Sequence, residues 1–223
     1  MIKAVIFDLD GTLLDRDSSL AAFIEDQYNR LAEHVQHIPK DLFIDRFIEL
    51  DAKGYVWKDR VYQQLTKELD IRGIDWQTLL ADYVSNFKYH CVPFSDIGSM
   101  LENLSQQTLR LGMITNGRGQ FQLDNIQALG IEGYFEEILI SEWEGLAKPD
   151  AAIFLKALAS LGVSPGEAVY VGDHPKNDIE AAKAVGMKAI WKKDYHWSCL
   201  EADGEIDGLH EVTGWIERLN AEP

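Results

Sequence analysis

Two cysteines in 223 residues, Cys91 and Cys199, are too few for a disulfide framework, and their spacing offers no CxxC pair for zinc or redox work. Buried or incidental thiols are expected. Basic residues are also scarce, with 21 Lys and Arg against 37 Asp and Glu and a formal charge of −16. That balance argues against a nucleic-acid polymer as partner, because such binding needs a basic surface that displaces counterions. A small anionic substrate is still allowed, since fields are screened beyond about 8 Å at physiological ionic strength and local cations decide whether a phosphate binds. Long apolar runs are missing too, and Asp8 and Asp10 interrupt the N-terminal one. Neither a secretory leader nor a membrane span fits, and a cytoplasmic location is expected. No repeat or low-complexity segment appears.

What is present is an ordinary globular composition, 46% hydrophobic and 10% aromatic, enough for one generous core and a smaller appended domain. Short β-branched and apolar runs recur as "KAVIFD", "LRLGMIT", "EEILIS", "AVYVGD" and "MKAIWKK", which read as strands. Amphipathic segments alternate with them. In "DAAIFLKALASLG" the residues Ile153, Phe154, Ala157, Leu158 and Leu161 share one helical stripe, with Asp150 to cap its start and Gly162 its end. The alternation predicts an α/β fold with a Rossmann-like parallel sheet, whose ligands gather beyond the carboxyl ends of the strands.

Residues 17–90 break the pattern, with helical stretches and no convincing strand. So long a segment between the first two strands predicts a smaller all-α helical cap domain rather than a loop. The expected domains are therefore a discontinuous core, 1–16 with 91–223, and a cap, 17–90, with Pro93 near the return. Near the C-terminus "LEADGEIDG" is expected to be an acidic surface loop.

The motifs "FDLDGTLLD", "ITNG", "KPD" and "VGDHPKND", in that order, resemble the four motifs of the haloacid dehalogenase (HAD) superfamily of hydrolases. The resemblance spans essentially the whole chain. It implies a Rossmann-like core, a mobile helical cap and a Mg²⁺ ion. It also answers why two carboxylates stand one residue apart, where two unit charges about 4 Å apart cost about 4 kcal/mol at an effective dielectric of 20. A divalent cation offsets that repulsion. The resemblance assigns Asp8, Asp10 (through its backbone carbonyl) and Asp173 to the metal, and leaves Asp178 between direct ligand and support for the loop.

On the same resemblance, Asp8 is the nucleophile that takes up the phosphoryl group, and Asp10 exchanges a proton with the leaving alkoxide and then with water. Gly11 frees the chain after the strand, and Thr12 is expected to fix that turn through its hydroxyl. Thr115 and Asn116 would donate to phosphoryl oxygens, and Lys148 would bring a positive charge to the nucleophile and substrate. "KPDAAIF" has Ala151 where the common pattern has a second proline, which leaves Lys148 unaffected.

In the cap, around "DAKGYVWKDRVY", Gly54 would permit a tight loop, and Lys58 or Arg60 would reach a substrate anion, with a solvated outward charge as the alternative for Lys58. Tyr55 and Trp57 are expected to pack into the cap's core rather than stack on a sugar or base. His174 reads as a solvent-facing loop residue. Cap closure would exclude water.

Other matches fail. "DRDSSLAAFIED" has Leu20 where a calcium loop needs glycine, and "NGRGQF" lacks the third glycine of a dinucleotide fingerprint. The expected activity is Mg²⁺-dependent hydrolysis of a small organic phosphomonoester, the expected partner is that substrate alone, and the oligomeric state is left open. Dehalogenases and phosphonate hydrolases of the superfamily lack an aspartate where Asp10 stands. A phosphomutase, or a phospho-ligand-binding protein without turnover, is the alternative.

Overall fold

The computed structural model describes residues 1–199 and 201–221. The chain divides into two compact units, Met1–Asp15 with Pro93–Pro223, and Arg16–Val92. Helices α1 (Arg16–Arg30), α2 (Ala32–Val35), α3 (Lys40–Asp51), α4 (Lys58–Glu68) and α5 (Trp76–Asn86) lie in the inserted unit. Helices α6 (Ile97–Gln106), α7 (Gly119–Ala128), α8 (Ser141–Glu144), α9 (Ala151–Ser160), α10 (Ala181–Ala184) and α11 (Val212–Ala221) lie in the other. No helix among the described residues is long and apolar enough to cross a membrane.

The larger unit is built on six strands among the described residues: β1 (Ala4–Phe7), β2 (Arg110–Thr115), β3 (Glu137–Ile140), β4 (Ala168–Gly172), β5 (Lys188–Lys192) and β6 (Gly204–Ile206). They form one sheet in the order β3-β2-β1-β4-β5-β6, with every neighbouring pair parallel. Parallel strands need long crossovers, and helices covering both faces explain why β1 and β4 are buried along their whole length. On one face Ala4, Ile6, Tyr170 and Ala189 pack with Ile153, Phe154, Ala157 and Leu158 of α9. Asp150 caps α9 by accepting from Ala152 N at 2.9 Å, and Gly162 follows the helix with φ +62°. Because β1 has β2 on one side and β4 on the other, the strand order reverses beside it, and the crevice of the sheet opens at the carboxyl ends of β1 and β4.

Strand β6 corrects the expectation of an acidic loop at "LEADGEIDG", whose first residue, Leu200, lies outside the described residues. Its Gly204 and Ile206 are buried and Glu205 is exposed. The free edge of β5 supplies the template, with Lys193 N donating to Ile206 O at 2.9 Å and Asp203 N to Ala189 O at 2.8 Å.

The inserted unit has an aromatic core, with Phe23 edge-on to Tyr83 at 5.2 Å between ring centroids and Phe47 against Tyr62 at 5.1 Å. Buried Gln27 is satisfied inside it, accepting from Tyr62 Oη at 2.8 Å and donating to Asp82 Oδ2 at 2.9 Å.

Candidate active site

Asp8 is the first residue beyond β1, and its backbone N donates to Val171 O of β4 at 2.9 Å. That bond continues the parallel ladder and sets Asp8 beside Gly172, which ends β4, and Asp173, which follows it. Next, the chain turns back on Leu9, whose carbonyl accepts from the N–H groups of Thr12, Leu13 and Leu14 at 3.2, 2.9 and 2.9 Å. Gly11 takes φ +81°, and a Cβ there would lie 2.5 Å from Asp173 Oδ2. Glycine is thus required twice, by the backbone and by the approach of that carboxylate. The turn is held by its backbone, not by Thr12 as the sequence suggests: Thr12 Oγ1 is buried with no hydrogen-bond partner among the described residues.

Lys148 comes from the loop before α9 and is buried. Its Nζ donates to Asp8 Oδ1 at 2.6 Å, to Asp178 Oδ1 at 2.7 Å and to Tyr170 Oη at 3.1 Å. Burial alone would lower its pKa, but Asp178 and Asp8 outweigh that and hold the ammonium well above its ordinary value. Asp178 sits in the π-helical turn Pro175–Glu180, and its second oxygen accepts from His174 N at 3.0 Å. Against Gly172, a Cβ would meet Asp178 Cγ at 2.6 Å, so the strand must end in glycine for this carboxylate to reach the site.

Ligand oxygens of Asp8, Asp173 and Asp178 lie within 4.8 Å of one another, a group able to hold a metal ion. Burial raises the Asp8 carboxyl to about 7; Lys148 opposes the shift and Asp178 adds to it. Burial, then Asp178 and Asp8, push Asp173 well above the carboxylate range. Three carboxylates facing one ammonium leave a charge deficit that a hard divalent cation matches, and all-oxygen donors of this kind are the ones such a cation takes. The donor set fits a divalent metal.

Asp10, half-buried, accepts on Oδ2 from Nε2 of Gln122 at 2.7 Å. The same Nε2 lies 2.7 Å from Thr115 Oγ1, so Thr115 is brought to Asp10 through a glutamine absent from the sequence-based expectation. Asn116 is held differently from that expectation. Its Oδ1 accepts from Lys148 N and its Nδ2 donates to Lys148 O, both at 2.9 Å, so its side chain clamps the lysine's backbone. Also absent from it was Lys192 at the end of β5, whose Nζ donates to Gly11 O at 3.1 Å and sits 3.3 Å from the centre of the Phe94 ring. Two lysines closing the "AIWKK" strand were the only signal for it. Tyr170 had none, reading as one more apolar strand residue.

His174 is not a solvent-facing residue. It is half-buried, its ring lies 5.0 Å from that of Trp197, and its Nδ1 accepts from Lys176 N and Asn177 N at 3.1 Å each. Burial lowers its pKa, which keeps that nitrogen an acceptor.

In the inserted unit, Gly54 has φ +86° and its N donates to Asp51 Oδ2 at 2.9 Å. Lys58 is neither outward nor solvated: it is buried and its ammonium bonds Asp51 Oδ1. Tyr55 and Trp57 are 63% and 36% exposed, contrary to the expected core packing, because the turn that carries them leaves the helical stripe.

A family model for haloacid dehalogenase-like hydrolases matches residues 5–192. The chain is 29% identical to a glyceraldehyde 3-phosphate phosphatase of Pyrococcus furiosus, with 98% of this chain and 95% of the relative covered. Among solved structures it resembles a HAD phosphatase from Thermococcus onnurineus, at TM-score 0.69 and 29% identity, covering 96% and 98% of the two chains. It also resembles a 2-haloacid dehalogenase from Pseudomonas syringae pv. Tomato DC3000, at TM-score 0.63 and 30% identity, covering 98% and 99%. With the ordered motifs, the Asp8–Lys148–Asp178 cluster and a match over most of its length, the chain belongs to the haloacid dehalogenase-like hydrolase family.

Proposed function

We propose that this hydrolase is a Mg²⁺-dependent phosphatase of small organic phosphomonoesters, working through an aspartyl-phosphate on Asp8. The observation that carries the reading is the buried Asp8 carboxylate, bonded by Lys148 and grouped with Asp173 and Asp178, with Asp10 two residues further on. Asp8 and Asp173, with the backbone carbonyl of Asp10, would hold the cation. When bound, it would supply Lewis-acid polarisation and orientation of a phosphoryl oxygen. Asp178, both of whose oxygens accept protein donors, supports Lys148 and the turn.

In the first step an Asp8 oxygen attacks phosphorus, the ester P–O bond breaks, and the leaving alkoxide takes a proton from Asp10. In the second step water gives its proton to Asp10 as its oxygen attacks phosphorus, and the bond to Asp8 breaks to release inorganic phosphate. Lys148 and Thr115 stabilise charge on the phosphoryl oxygens, and Asn116 fixes Lys148. An aspartate at Asp10 favours this chemistry over dehalogenation, which has no alkoxide to protonate. Lys58 is engaged by Asp51, and Gly54 serves the turn it occupies. The names of the relatives make three-carbon phosphomonoesters the first substrates to try.

A panel of phosphomonoesters with and without Mg²⁺ tests the reading on native protein and Asp8→Asn. Metal-dependent release of inorganic phosphate is expected, and the substitution should lower it by at least about 10³-fold. Full activity in Asp8→Asn would remove the nucleophile, and an isomerised phosphate ester in place of inorganic phosphate would make the protein a mutase.

A further inference from the structure

Gln122 is buried on α7, and its carboxamide faces three acceptors: Asp10 Oδ2 at 2.7 Å, Thr115 Oγ1 at 2.7 Å and Asn116 O at 3.2 Å. Its oxygen in turn accepts from Asn125 Nδ2 at 3.3 Å, which fixes the amide's orientation. The contact with Asp10 joins residues 112 apart in the chain and ties the turn after β1 to α7. Room for it is built into the backbone: a Cβ at Gly117 would stand 2.7 Å from Gln122 Cγ and 2.9 Å from its Cδ. A buried side chain this fully engaged, beside a residue whose lack of a side chain admits it, is a fixed part of the site.

We propose that Gln122 is a positioning residue for proton transfer by Asp10, and the inference rests on the phosphatase reading above. The carbonyl oxygen of a carboxylic acid is a better acceptor than its hydroxyl oxygen, so an amide N–H bonded to one carboxyl oxygen favours the proton on the other. With Gln122 on Oδ2, the proton that Asp10 exchanges resides on Oδ1, whichever way the reaction runs. In the first step the ester oxygen leaves phosphorus with the bonding pair and takes the Oδ1 proton while Asp8 forms its bond to phosphorus. In the second step water returns a proton to Oδ1 as the Asp8–phosphorus bond breaks. Gln122 gains and loses nothing. It keeps the carboxyl from rotating, so the proton-bearing oxygen is held in one place.

The measurement is kcat/KM, which covers steps only up to departure of the leaving group, for an alkyl phosphate and for 4-nitrophenyl phosphate, whose phenolate leaves without a proton. Gln122→Met keeps the bulk and removes the donor. It should lower kcat/KM on the alkyl ester by about thirtyfold or more and on the nitrophenyl ester by less than about threefold. In an Asp10→Asn background it should cost nothing further on the alkyl ester, since no proton is left to place. Equal losses on both esters would show a purely structural role and overturn the proposal, as would an unchanged rate on the alkyl ester. Should Gln122→Met not fold, Gln122→Asn, which withdraws the amide by one methylene, carries the same comparison. Native protein inactive on both esters would instead strike at the phosphatase reading itself.

Discussion

At the scale of single residues, Lys148 is held by more than its two carboxylates. The third acceptor is Tyr170 Oη, which lies 3.2 Å from Ile114 O and donates to it. Burial keeps the phenol protonated, raising its pKa well above 10.0, although Lys148 pulls the other way. The hydroxyl can therefore accept from the ammonium and donate to the carbonyl at once. Tyr170→Phe keeps the ring, whose centroid is 5.6 Å from Nζ, and deletes only that relay. One buried ammonium N–H then lacks an acceptor, at a cost of about 1–3 kcal/mol. Urea unfolding monitored by circular dichroism should show a lower midpoint with an unchanged slope. An unaltered midpoint would mean that Asp8 and Asp178 alone fix the lysine.

At the scale of elements, the turn between α3 and α4 carries three successive residues with positive φ, Ala52 at 46°, Lys53 at 59° and Gly54 at 86°, two of them without glycine's freedom. Asp51 holds it together: Arg16 Nη2 donates to Oδ2 at 2.7 Å, Gly54 N to the same oxygen at 2.9 Å, and Lys58 to Oδ1. Burial would raise the Asp51 pKa, yet Lys58 and Arg16 together bring it below 3.8. A carboxylate depressed in the folded state contributes stability that is full above its unfolded value and is lost as pH falls through the folded one. The inserted unit should thus be indifferent to pH near neutrality and weaken below about 3.8. Asp51→Asn leaves two cations facing each other and should cost about 3–5 kcal/mol, with proteolysis arising first in the 52–57 turn. A variant as resistant as native protein would show that the turn needs no such clamp. Elements of this kind also mark what a sequence discloses. Strands β1 to β5 and helix α9 were legible because their apolar period matches their burial. Strand β6 was not, being three residues recruited by a neighbour's open edge. Helix α7 hid its role because its buried stripe includes Gln122 and Asn125, polar residues that periodicity assigns to solvent. Asp8, Lys148 and Asp178 could be singled out from motif order alone, whereas Gln122, Tyr170 and Lys192 reach the site only through the fold.

For the whole molecule, the −16 charge is spread over a chain that leaves the sheet unit at Asp15 and re-enters it at Pro93. The acidic group of Asp8, Asp173 and Asp178 belongs wholly to the sheet unit, so a cation bound there stabilises that unit directly. Binding to the folded form alone adds RT ln(1 + [L]/Kd), about 2.7 kcal/mol at one hundred times Kd. For a chain of this size that corresponds to roughly 5–10 °C in the transition of the sheet unit. Hydrogen exchange should locate the gain: with Mg²⁺ in place of a chelator, amides of β1, β4 and the Pro175–Glu180 turn exchange more slowly, while those of α4 and α5 change little. Asp173→Asn takes one carboxylate out of the group proposed to hold the cation. It should unfold at a temperature close to that of chelated native protein and show no response to the metal. A thermal shift retained in that variant, or one read mainly in the helical unit, would place the cation elsewhere and detach it from Asp8.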